Sequence, residues 1–168
     1  MNMTTNMKKY ISLTLMLLGT AGAAWAQSSG TLTIQGTVAA VANITVAPQS
    51  GYNTLNIAGG VSGQNVANIT EQSNDKNGYT VTMTSLNAGA SGSSLFLKDT
   101  GAGTDTVSYS LTYNGVAVSF SSGSATLTSA SAKTTQAGVV KALAVTIAAT
   151  WVNAATYADT LTFTIAGK

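Results

Sequence analysis

Few residues of this chain could do chemistry, and their types exclude most of what enzymes do. The 168 residues contain no histidine and no cysteine. Serine–histidine and cysteine–histidine nucleophiles, imidazole zinc sites and the usual near-neutral proton shuttle are thereby ruled out. Glu71 is the single glutamate, and the remaining carboxylates are Asp75, Asp99, Asp105 and Asp159. A glycosidase needs two carboxylates flanking one bond. Asp75 is near Glu71 in sequence, but Glu71-Gln72-Ser73-Asn74-Asp75-Lys76 reads as a polar turn. A serine–lysine dyad around Lys133 or Lys141 is conceivable only on paper. Asp99-Thr100-Gly101-Ala102-Gly103-Thr104-Asp105 holds carboxylates in a glycine-rich loop, loosely like a calcium loop. It lacks the middle ligands and the closing bidentate glutamate of such loops, so a plain hairpin loop is expected. Asn43-Ile44-Thr45 and Asn68-Ile69-Thr70 fit the glycosylation sequon, an accidental match if the producer is bacterial. The expectation is a protein that is not an enzyme, with no catalytic residue, no metal and no cofactor.

The charge balance removes further classes. Lys8, Lys9, the apolar run Ile11–Leu18 and the Ala24-Trp25-Ala26 stretch together form an export-signal pattern over residues 1–26. The run is far short of the about 20 residues that span a bilayer. Removing that leader takes two of the seven lysines and leaves five lysines against five acids, with no arginine anywhere. Nucleic acid and anionic membranes both require clustered cations, and none are present. A nearly uncharged surface of Thr, Ser, Asn and Gly does not repel copies of itself. Without cysteine, the exported domain must hold its core with no covalent staple.

The elements that would position any site are strands. From Thr31 to Val46 the chain keeps a two-residue rhythm, with Leu32, Ile34, Gly36, Val38, Ala40, Ala42, Ile44 and Val46 on one face. Sixteen residues exceed the usual strand length of about 3–10. Gly36 therefore suggests two strands in series that need not belong to one folded body. Short strands are predicted at Leu55–Ile57, at Val66–Thr70 and at Tyr79–Thr84, the last preceded by the turn dipeptide Asn77-Gly78. Asn114-Gly115 predicts a type I′ hairpin over Val107–Phe120, with Tyr113 facing Val116, Leu111 facing Val118 and Tyr109 facing Phe120. Leu143, Val145, Ile147, Ala149 and Trp151 alternate next, then Leu161, Phe163 and Ile165 against Thr160, Thr162 and Thr164. Trp151 and Tyr157 are expected as core or corner aromatics. Ser/Gly-rich loops fall at Ala88–Ser94, Thr100–Thr104 and Ser121–Ser124. The sum is an all-β chain, a β-sandwich without a useful helix or a fixed repeat.

The two ends of the chain carry a resemblance. Thr31-Leu32-Thr33-Ile34-Gln35-Gly36-Thr37-Val38 resembles the amino-terminal segment of chaperone–usher pilins of Gram-negative bacteria, where an alternating extension ends in Gly-x-Val. Ala154–Ile165 is similar to the closing strand of those fimbrial subunits and of the related spore coat U-like secreted proteins. The resemblance implies an immunoglobulin-like, pilin-type β-sandwich that is incomplete and is completed by a donor strand from a neighbour. It implies a donor extension over residues 27–36, ahead of a sandwich domain over 37–168. By position, Leu32 and Ile34 would fill the groove, Gly30 would lie where no bulky group passes, and Ser28 would sit near the shallow end. Leu161, Phe163 and Ile165 would line the acceptor groove. Partners would be copies of itself in a fibre, a periplasmic chaperone, an outer-membrane usher and a host or abiotic surface. The place would be the cell surface, reached through the periplasm, with adhesion or biofilm as the outcome. The sequence departs from the family in having no sandwich disulfide, with Asn43 near the place of its first cysteine. It also ends Ile165-Ala166-Gly167-Lys168, with no aromatic next to last, and only Gln27–Gly30 precede the extension's Thr31. The competing expectation is a self-complete secreted β-sandwich that binds a surface or glycan as a monomer.

Overall fold

The computed structural model describes residues 28–168, so the leader expected over residues 1–26 lies outside the described residues. The chain divides into two units, Met1–Thr37 and Val38–Lys168. In the first, residues 28–37 have no regular secondary structure and are exposed. The second unit is all-β, with ten strands and no helix among the described residues.

The strands are β1 (Ala42–Pro48), β2 (Val61–Ser73), β3 (Tyr79–Ser85), β4 (Leu95–Asp99) and β5 (Thr106–Tyr113). They continue as β6 (Val116–Ala117), β7 (Ser124–Ala130), β8 (Val139–Ile147), β9 (Tyr157–Ala158) and β10 (Leu161–Gly167). One sheet runs β1-β2-β8-β5-β4-β9, with β6 paired to β5, and the other runs β10-β3-β7. All pairings are antiparallel, and the sheets stack as a sandwich.

The two-residue period decides what lies between the sheets. On β3, Tyr79, Val81 and Met83 are buried, while Thr80 and Thr82 lie on the other face, half-buried. On β8, Leu143, Val145 and Ile147 are buried, and β5 contributes Val107, Leu111 and Tyr113. The predicted turn is present: Asn114 and Gly115 have φ of 49° and 81°, as a type I′ turn requires. Tyr113 pairs with Val116, and Val118 N–H donates to Leu111 O at 2.9 Å. The returning arm is only two residues long, however. Val116 is exposed, and Tyr109 pairs with Leu95 of β4 rather than with Phe120. β5 takes β4 and β8 as its long neighbours, and that leaves the hairpin's second arm nothing to build on.

Other expectations are corrected in the same way. Leu55 lies between two turns and Ile57 opens the second, with no strand there, and Ile57 O accepts from Gly60 N–H. Val66–Thr70 is the middle of a thirteen-residue strand, whose register against β8 shifts twice near Gly63 and Asn65. Glu71 and Ser73 are not in a polar turn but continue the inward set of Ala67 and Ile69 on β2. Alternation after Ile147 is not strand: the chain leaves the sheet, and Trp151 is 95 % exposed. Pairing of β1 starts only at Ala42 opposite Ser73, because β2 ends there and turns into β3. Before it, the Asn74 side chain accepts from Val41 N–H at 2.7 Å and donates to Ala39 O at 2.7 Å. That extends the contact by three residues without a strand partner.

Candidate functional site

The site is built from the last strand of each sheet. Along β10 the period-2 rule sends Leu161, Phe163 and Ile165 to one side and the threonines to the other. β10 pairs with β3 through Leu161–Ser85, Phe163–Met83 and Ile165–Val81, and its other edge has no partner in the sheet order. β1 is likewise the last strand of the first sheet, paired only with β2. The two edges come close without bonding to each other. Between them lies an apolar groove of about 330 Å³. Val46 and Pro48 of β1 form one wall, Leu161 and Phe163 of β10 the other, and Ala67, Leu111, Leu143 and Val145 lie along the floor. Interior voids larger than a water molecule are few in packed domains. This groove is instead open to solvent, between two bare strand edges.

Exposure reports the same gap. Val46 points to the groove and is 45 % exposed, while Leu161, Phe163 and Ile165 are only half-buried. Residues on the same floor, such as Leu111 and Leu143, are buried. Of the expected acceptor residues, Leu161 and Phe163 line the groove; Ile165 shares their face of β10 but lies beyond the lining. The expected donor residues Ser28, Gly30, Leu32 and Ile34 are in the other unit. All are exposed and outside any strand, with Leu32 and Ile34 at 85 % and 89 %.

Two polar clusters brace the sandwich, one of them at this groove. Asp159, where the chain crosses from β9 to β10, lines it. Its Oδ2 accepts from Tyr109 OH at 2.5 Å and Ser85 Oγ at 2.6 Å, and its Oδ1 accepts from Asn87 N–H at 3.1 Å. Burial, then the bond and charge of Asp159, push the Tyr109 phenol well above its ordinary range. Farther away, Glu71 is fully buried. Its Oε1 accepts from Tyr113 OH at 2.7 Å and Thr128 Oγ1 at 2.6 Å; its Oε2 accepts from Tyr79 OH at 2.9 Å. Lys141 Nζ stands 3.0 Å from Oε2 and also donates to Thr128 Oγ1 at 2.7 Å. Burial alone would raise the Glu71 pKa, but the bonds from Thr128, Tyr113, Lys141 and Tyr79 outweigh it and hold it below the ordinary carboxylate value. Tyr79 is pushed up to about 12 by burial and by that carboxylate.

Five strands meet at Glu71: β2, β5 and β8 of one sheet, β3 and β7 of the other. The cluster ties the sheets together in a chain that has no cysteine. Lys141 is thus a partner of a saturated carboxylate, not the base of a dyad. The signal for this in the sequence was the odd-numbered run Ala67, Ile69, Glu71, Ser73, which keeps step with the core. Asp99 and Asp105 are adjacent in the β4–β5 hairpin, Asp99 N–H donating to Asp105 O at 3.2 Å. Asp99 Oδ1 accepts from Gly101 N–H and Asp105 Oδ2 from Asn153, so each serves a loop. Among the described residues no three acidic side chains converge as metal ligands would.

Beside this geometry, comparisons with known proteins add no kinship: no family model matches the chain, and no curated protein matches it.

Proposed function

We propose that the chain is a structural subunit of a surface fibre, assembled by insertion of one copy's leading segment into another copy's groove. The observation that carries this reading is the groove between the unpaired edges of β1 and β10, walled by Val46, Leu161 and Phe163. The same chain carries a strand-patterned segment whose Leu32 and Ile34 are exposed and outside any strand. The sandwich is then of the incomplete, immunoglobulin-like pilin type, and residues 28–36 are the donor strand. An inserted strand supplies backbone partners to a bare edge and buries its alternate side chains. Each large aliphatic taken from water contributes roughly 1.5–3 kcal/mol, so Leu32 and Ile34 together are worth several. Because donor and acceptor are different surfaces, the contact is head-to-tail and propagates as a filament. Export through the periplasm, with a chaperone covering the groove and an outer-membrane usher releasing the subunit, completes the reading.

The test is a gel of exported material with and without boiling, alongside a chain lacking residues 28–35. The full chain is expected to run as a heat-sensitive ladder, and the truncated chain as a folded monomer. A synthetic peptide of residues 28–36 should bind the truncated chain and raise its melting temperature. A ladder that survives the truncation would overturn the assignment.

A further inference from the structure

Residues 148–156 connect β8 to β9 and carry Trp151, whose 95 % exposure exceeds that of every other large apolar side chain described. The indole packs on nothing, yet the loop under it is fastened. Asn153 N–H and Nδ2 donate to Asp105 Oδ2 at 3.1 and 2.7 Å. Tyr157 OH donates to Asn153 O at 2.8 Å, Thr150 N–H reaches Ile57 O at 3.4 Å, and Thr100 N–H reaches Thr156 O at 2.9 Å. A large ring is therefore presented to solvent on an anchored frame, which keeps the entropy lost on binding low. Two hollows flank it. One, of about 500 Å³, is lined by Thr104, Asp105, Thr106 and Asn153 beside the indole. The other, of about 590 Å³, is lined by Leu55, Asn56, Ile57, Val152 and Tyr157 as well as the indole.

We infer that Trp151 is the stacking platform of a carbohydrate site that takes a neutral oligosaccharide. A pyranose offers an apolar face of C–H groups and a rim of hydroxyls. The indole suits the face, and the hydroxyl, amide and carboxylate groups of Thr104, Asn153, Asp105 and Asn56 suit the rim. No lysine lines either hollow, so nothing there attracts an anion. Asp105 is the single carboxylate, and no further acid joins it there to hold a cation. One exposed indole over two small hollows is also far from the roughly 800 Å² per partner of a stable protein interface. The site lies outside the groove, and the inference does not depend on the fibre reading.

Intrinsic fluorescence tests it, because Trp25 is the only other tryptophan. The protein to use is the exported chain, or the full chain carrying Trp25→Phe. Cellohexaose, maltohexaose and hexa-N-acetylchitohexaose are titrated to about 10 mM, above the millimolar affinity expected of one shallow platform. At least one should give a saturable blue shift. Trp151→Ala should lower that affinity, read by calorimetry, roughly tenfold or more, with an unchanged far-UV spectrum, since the ring supports no packing. Trp151→Phe should retain part of it, and Asn153→Ala should weaken it with the indole in place. No saturable response to any of the three sugars would overturn the inference. So would equal affinity in Trp151→Ala, or loss of the multimer ladder in that variant without sugar binding in the parent, which would make the indole a protein contact.

Discussion

Replacing Glu71 tests the account of how the two sheets are held together. In Glu71→Leu, the hydroxyls of Tyr79, Tyr113 and Thr128 and the Lys141 ammonium all lose their common acceptor. Removing one partner of a buried pair costs about 3–5 kcal/mol, a large part of the about 5–15 kcal/mol that folds a domain. Glu71→Gln keeps the shape and one acceptor oxygen. Its lowest-cost orientation keeps that oxygen on the side of Tyr79 and Lys141, since hydroxyls can turn to accept but an ammonium cannot. The loss is then that of charge assistance, about 1.5–3 kcal/mol. The pH dependence separates charge from shape. The folded pKa of Glu71 lies below its ordinary value of 4.5. Its stabilisation is therefore complete above the unfolded pKa and is lost as pH falls through the folded one. Urea unfolding at steps from pH 7 to pH 3 should show the parent losing stability on the acid side. Glu71→Gln should start lower at pH 7 and converge on the parent in acid. Parallel pH profiles for the two proteins, or no loss in either substitution, would mean that the Glu71 carboxylate does not hold the sheets together.

The opposite limb belongs to the tyrosines. With Tyr79 raised to about 12 and Tyr109 and Tyr113 raised further by burial, a spectrophotometric titration should leave a group of phenols un-ionised well above pH 10. Raised pKa values stabilise fully below the unfolded value of about 10 and fail as pH climbs, so ionisation of this group should coincide with alkaline unfolding. At the groove, Phe163→Ala should leave a folded domain and weaken binding of the 28–36 peptide about tenfold or more, from the apolar contact removed. Undiminished peptide affinity would place the donor elsewhere.

How much of this was legible in the sequence depends on whether a residue's role is local. The Asn114-Gly115 turn and the β3 and β8 patterns could be read because turn chemistry and a period of two are written within a few residues. The length of the hairpin's second arm could not, since it depends on which distant strands claim β5. Leu55 and Ile57 imitate a strand, but no neighbour is in register to accept one. Trp151 keeps the beat of Leu143, Val145 and Ile147 after the sheet has ended, and nothing in its local sequence marks the exit. Glu71 misled because a lone acid among Gln, Ser and Asn looks like a turn. Its acceptors' partners lie on strands up to 70 residues away, at Lys141. The inward face of Leu161 and Phe163 is legible from their alternation, whereas the opposite wall, Val46 and Pro48, is defined only by the strand order.

The placement of β1 and β10 in separate sheets bears on strength under tension. A donor strand laid along one of these bare edges, as we propose, would be bonded lengthwise, and a pull along its own axis would load those bonds in shear. Load along that axis then meets many hydrogen bonds side by side, all of which must give way together, instead of opening one after another like a zipper. In the proposed fibre, such a joint would withstand flow and drag with no covalent link between the units, in a chain that has no thiol from which to make one.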